Sequence, residues 1–72
     1  MSKQDFLVKL TELLEMDHAL TGEEALAELE AWDSMAVLSL MAMADEETGK
    51  TLSAQDIANA KTVNQLYALV SG

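Results

Sequence analysis

With 72 residues and no cysteine, the chain has room for one small core and neither disulfides nor thiolate metal sites to brace it. Thirteen acids against four lysines and no arginine give a net charge of -9, a field that repels nucleic acid and anionic membrane surfaces and attracts basic proteins. Half of the residues are apolar but only 4% are aromatic, so Leu, Ala, Met and Val must fill the core, a composition that favours helices.

In chain order, Phe6, Leu10, Leu13 and Leu14 recur at helical spacing and predict a first helix over 2–16, with Ser2 as cap and Asp5 suited to a capping box and to the helix dipole. Residues 17–33 have no clean period and read as a long connection holding at most a helical turn or two around "EEALAEL". Leu20, Leu26, Leu29 and Trp32 are expected to pin it to the body. The strongest helix is predicted over 34–47, with Val37, Leu40, Met41 and Ala44 as its buried stripe and the glycine of "TGK" as its stop. "SAQD" at 53–56 opens a short helix around Ile57 that ends near Ala60. "TVNQ" at 62–65 starts the last helix, whose stripe is Val63, Leu66, Tyr67 and Val70.

Proline is absent and no segment alternates as a strand does. The expected fold is an all-α four-helix bundle, three main helices and one short one, with a long loop between the first two and a single domain over 1–72. No targeting segment is visible, and the longest apolar run, Leu40 to Ala44, is far too short to span a bilayer, so a soluble cytoplasmic protein without membrane insertion is expected.

The stretch "AWDSMAVLSL" at 31–40 raises the functional question, because Ser34 sits behind Asp33 where acidic sequence gives way to apolar. As a nucleophile Ser34 lacks support: the single histidine, His18, lies sixteen positions upstream in an unpatterned segment, and "WDSMA" has no Gly-x-Ser-x-Gly elbow. A calcium loop fails too, since "DEETGKTLSAQD" has its glycine at the fifth place and ends in Asp. No metal site is expected. Taken alone, Asp-Ser ahead of an apolar helix is an ordinary cap. Met35 and Met43 fall off the predicted stripe and leave apolar surface near Ser34.

The ordered set "LAELEAWDSMAVLSLMAMADEETGKTLSAQDIANAKTVNQLYALV", residues 26–70, resembles the acyl carrier protein family, which includes peptidyl and D-alanyl carriers. The resemblance implies that Ser34 accepts 4'-phosphopantetheine from coenzyme A through a phosphopantetheinyl transferase, with Asp33 and Met35 beside the attachment point. The chain would then be no enzyme but a carrier, a substrate of and partner to enzymes, whose thiol arrives on the arm. It implies docking through Ala36, Ser39, Met43, Asp45, Glu46, Glu47 and Asp56 to basic patches on that transferase, on an acyl- or aminoacyl-loading ligase, and on synthase or transferase enzymes. An acyl cleft would be lined by Val37, Leu40, Met41 and Ile57, and the protein would act as a monomer.

One departure separates this chain from carriers of general fatty acid synthesis, which bear several acids after the serine. Here residues 36–44 read "AVLSLMAMA", without a charge before Asp45, and Trp32 precedes the Asp. The expectation is a dedicated carrier holding acyl thioesters for fatty acid, polyketide or specialised acyl synthesis. Aminoacyl, D-alanyl or peptidyl cargo is the alternative, and an acidic helical interaction module without a prosthetic group is the rival from another class.

Overall fold

The structure, a computed structural model, describes residues 1–71. Among them four helices follow in order: α1 (Lys3–Leu13), α2 (Ser34–Thr48), α3 (Ala54–Asn59) and α4 (Val63–Ser71), with a 3-10 turn at Leu26–Glu28 inside the α1–α2 connection. α1 packs on α2, and α4 packs on both α2 and α3. This is the expected small all-α bundle, and no helix is long and apolar enough to cross a membrane among the described residues.

Local chemistry sets the helix ends. Ser2 Oγ accepts the Asp5 N–H at 3.1 Å, Ser53 Oγ accepts that of Asp56 at 3.0 Å, and Thr62 Oγ1 accepts that of Gln65 at 3.3 Å. Gly49 closes α2 at φ 71, its N–H bonded to Asp45 O at 2.9 Å. α1 stops three residues earlier than the periodicity predicts. Glu15 takes the left-handed conformation at φ 54, while its N–H reaches Glu12 O and the Met16 N–H reaches Thr11 O. Those two bonds make a Schellman closure with glutamate where glycine is usual, at a cost of roughly 1 kcal/mol. The early stop returns the chain to the bundle: Thr11 Oγ1 donates to Leu7 O and accepts the Leu20 N–H at 3.1 Å, which leaves Leu14 and Leu20 both buried.

The core draws on every element. Phe6, Leu10, Leu40, Ile57, Leu66 and Val63 are its largest fully enclosed side chains, and the Phe6 and Tyr67 rings meet at 5.5 Å, tying α1 to α4. Leu7 joins it from α1, while Leu13 is only partly covered. Leu20 and Leu26 anchor the connection as expected, with Leu29 and Trp32 half-buried against the same core.

Hydrogen bonding adds a tie that apolar spacing could not reveal. The connection's 22–26 segment lies antiparallel to 61–64, with an isolated bridge between Ala25 and Thr62. Asn64 N–H bonds Gly22 O at 2.8 Å, Val63 N–H bonds Glu24 O at 3.1 Å, and Leu26 N–H bonds Lys61 O at 2.9 Å. The first two satisfy free N–H groups at the start of α4 with carbonyls from the connection. Gly22 sits at φ +104, where a Cβ would lie 2.2 Å from Asn64 Oδ1, so only glycine fits.

In α2 the buried stripe is Ala36, Leu40 and Ala44. It is rotated by roughly 50° from the predicted one, at 3.6 residues per turn. Val37 and Met41 are half-buried at its edge, and Met43 is half-buried against the core on the other side. Helical periodicity in a segment that is apolar on most of its circumference does not fix which arc turns inward. Packing against α1 and α4 does.

Candidate functional site

The start of α2 divides its duties between two neighbours. Asp33 is extended, at φ -128 and ψ -170, and its Oδ1 accepts the Ala36 N–H at 2.9 Å, so the aspartate is the cap. Ser34 is the first residue of the helix, exposed, and its hydroxyl has no partner among the described residues. The backbone N–H groups of Ser34 and Met35 likewise have none there. A hydroxyl free of structural duty thus stands at the positive end of a fifteen-residue helix.

Around it the surface is apolar. Ser34, Val37, Leu38, Met41 and Ala54 line an open hollow of about 350 Å³. Met35 and Leu38 stand 70% and 60% exposed, and Ser39 and Ala42 continue the same uncovered face. On the other flank Asp33, Met35 and Ser39 share a second hollow with Glu15 and Ala31.

The expected cleft and docking residues scatter. Leu40 and Ile57 are 0% and 1% exposed, members of the packed core, so of the four cleft residues only Val37 and Met41 line the hollow. Ala36 is 5% exposed and offers no docking surface, because the helix turns it toward the core. Met43 is likewise turned partly inward. Asp45, Glu46 and Glu47 are exposed at the far end of α2, about 16 to 20 Å from Ser34 at 1.5 Å per residue. Glu47 pairs there with Lys9 of α1 at 3.3 Å. Asp56 borders a separate hollow between α3 and α4. Leu38 and Ala54 beside Ser34 were not anticipated. Leu38, a large apolar residue off the predicted stripe, was the one signal available.

His18 is not bonded to Ser34 among the described residues. His18 Nδ1 lies 2.9 Å from Asp17 Oδ1, and this bond, with that carboxylate's own N–H and the nearby imidazole charge, holds Asp17 below the usual carboxylate range. No group of three or more His, Cys, Asp or Glu side chains is arranged to hold a metal among the described residues. In the connection, Glu24 accepts the N–H groups of Thr21 at 2.8 Å and Gly22 at 2.9 Å and the Thr21 hydroxyl at 3.2 Å. Partial burial raises its pKa, but those bonds and its own N–H outweigh it, and the value falls below the usual 4.5.

Among known protein families, the one described as the phosphopantetheine attachment site matches this chain over residues 5–70. No curated protein and no solved structure matches it.

Proposed function

Because the chain belongs to the phosphopantetheine attachment-site family, non-catalytic carriers of a covalent 4'-phosphopantetheine, we propose that Ser34 bears the arm and that the protein holds acyl groups on it as thioesters. The observation that carries this reading is the division of labour at the start of α2. Asp33 caps the helix, and the adjacent Ser34 hydroxyl is exposed and unbonded. The rival picture of an interaction module without a prosthetic group falls with the family membership.

The residues present suit the group. The arm supplies the thiol that a chain without cysteine lacks. The free N–H groups of Ser34 and Met35 and the helix dipole favour a phosphodiester's negative charge at this point. Asp33, adjacent and anionic, opposes it in part, and during transfer its second carboxylate oxygen is free to face a cation brought by the transferase. Ser34 is a passive acceptor, since no base of this chain is bonded to its hydroxyl among the described residues.

For cargo, the apolar lining of the hollow at Val37, Leu38, Met41 and Ala54 supports an acyl group. A second reading, aminoacyl or peptidyl cargo, is favoured by the closed core behind that hollow. Leu40 and Ile57, both enclosed, close the core beneath the hollow, so a long chain could enter only by displacing them, and a small polar cargo needs no such entry. Cytoplasmic transferases and loading enzymes with basic patches are the partners this reading requires.

The test is intact mass before and after incubation with coenzyme A and a broad-specificity phosphopantetheinyl transferase. Wild-type protein is expected to gain one phosphopantetheine and Ser34→Ala none. A variant that still gains it removes Ser34 as the site.

A further inference from the structure

The hollow beside Met35 shares Glu15 and Ala31 with a larger one bordered by Asp17, Glu28 and Glu30. Together they form a trough that begins at Asp33 and Met35, the chain neighbours of Ser34, and continues over the connection, lined by five carboxylates: Glu15, Asp17, Glu28, Glu30 and Asp33. No lysine borders it, and its one histidine, His18, is already bonded to Asp17. The exposed face of α2, by contrast, has no charge between Ser34 and Asp45.

Distance decides which acids matter to an enzyme centred on Ser34. Asp45 and Glu46 lie about 16 Å or more along the helix, roughly two Debye lengths in physiological salt. Asp33 is adjacent, and Glu15 shares a hollow with both Asp33 and Met35. The apolar centre, Met35 and Leu38, therefore has five carboxylates on its connection side, while on the α3 side, beyond Ala54, Asp56 is exposed.

We propose that the transferase acting on Ser34 seats an apolar surface on Met35 and Leu38 and lays its cationic side chains over the trough at Glu15, Glu28 and Glu30, not over Asp45 and Glu46. The proposal rests on Ser34 being the attachment residue. It makes the connection, rather than α2, the source of electrostatic steering, and leaves α2 to supply the water-excluding contact.

Initial rates of arm transfer from coenzyme A by a broad-specificity transferase, measured against carrier concentration, test it. The combined Glu15→Gln, Glu28→Gln, Glu30→Gln variant is expected to lose about tenfold in kcat/KM at low salt, a deficit that closes near about 0.5 M salt as screening removes the steering. Asp45→Asn with Glu46→Gln is expected to lose less than about twofold. Leu38→Ser is expected to lose several-fold at both salts, because its contact is apolar. Circular dichroism melting establishes that each variant is folded, and Glu28→Gln and Glu30→Gln alone should rank the same way. Equal losses in the two charge variants, or an unaffected Leu38→Ser, overturn this docking geometry while leaving Ser34 in place. Wild-type protein that gains no arm overturns the Ser34 reading and this one with it.

Discussion

Ala36, Leu40 and Ala44 on one face of α2 and Met35, Leu38 and Ala42 on the other are chemically alike, yet the first set is enclosed and the second stands in water. The enclosed face fastens α2 to α1 and α4. The open one contributes little to folding and surrounds the hydroxyl that this reading makes the attachment point. A similar split runs through the connection, where 22–26 is bonded to the start of α4 while Glu28, Glu30 and Asp33 border open hollows. In both elements one side builds the domain and the other is left for contact. An uncharged helix face is in this sense no evidence of burial.

The sharpest way to break that comparison is to shorten one leucine on each face. Leu40→Ala is expected to cost about 2–5 kcal/mol, enough to unfold much of a domain this small, whereas Leu38→Ala should stay within about 0.5 kcal/mol. Urea melts of the two variants measure this directly, and similar losses would mean that the faces are not distinct. Next in size is the bonded side of the connection. Gly22→Ala places a methyl 2.2 Å from Asn64 Oδ1 at φ +104 and should destabilise by more than about 1 kcal/mol. Since Asn64 Oδ1 is buried without a partner among the described residues, adding Asn64→Ala should recover the steric share but not the backbone strain, which a double-mutant cycle separates.

A smaller effect separates the two residues at the start of α2. Asp33→Ala should cost about 1 kcal/mol through the lost cap, and Ser34→Ala close to nothing. Thermal melts that showed the reverse would make Ser34 the cap and remove the observation on which its assignment rests. The smallest expected effect is pH-dependent. Glu24 has a folded pKa below the usual 4.5, so its contribution is fully present above that value and is lost as pH falls through the lower folded one. Glu24→Gln should therefore flatten the acid limb of a stability profile below about pH 4.5 and leave its slope at neutral pH unchanged.

Much of this architecture is legible before any coordinates. Capping residues Ser2, Ser53 and Thr62 and the glycine after Thr48 act locally, through bonds to N–H and C=O groups within a turn, so their positions in sequence carry over to space. The α1 end is not legible in the sequence because glutamate rarely takes the left-handed conformation, and the return of Leu20 to Thr11 offsets its cost. At the start of α2 the Asp-Ser pair marks the cap, but that Ala36 faces the core is not legible, since an apolar residue there looks the same whether it faces the core or a partner.

By itself, then, the sequence determined the helices, their caps except at the end of α1, the long acidic connection and the serine behind its aspartate, because each rests on chemistry within a few residues. The tertiary structure alone decided which arc of α2 is buried, that 22–26 joins α4, and that Glu15, Glu28 and Glu30 border adjoining hollows, one of which reaches Asp33 and Met35. These depend on contacts between residues far apart in the chain, and an apolar helix leaves their choice to whatever packs against it.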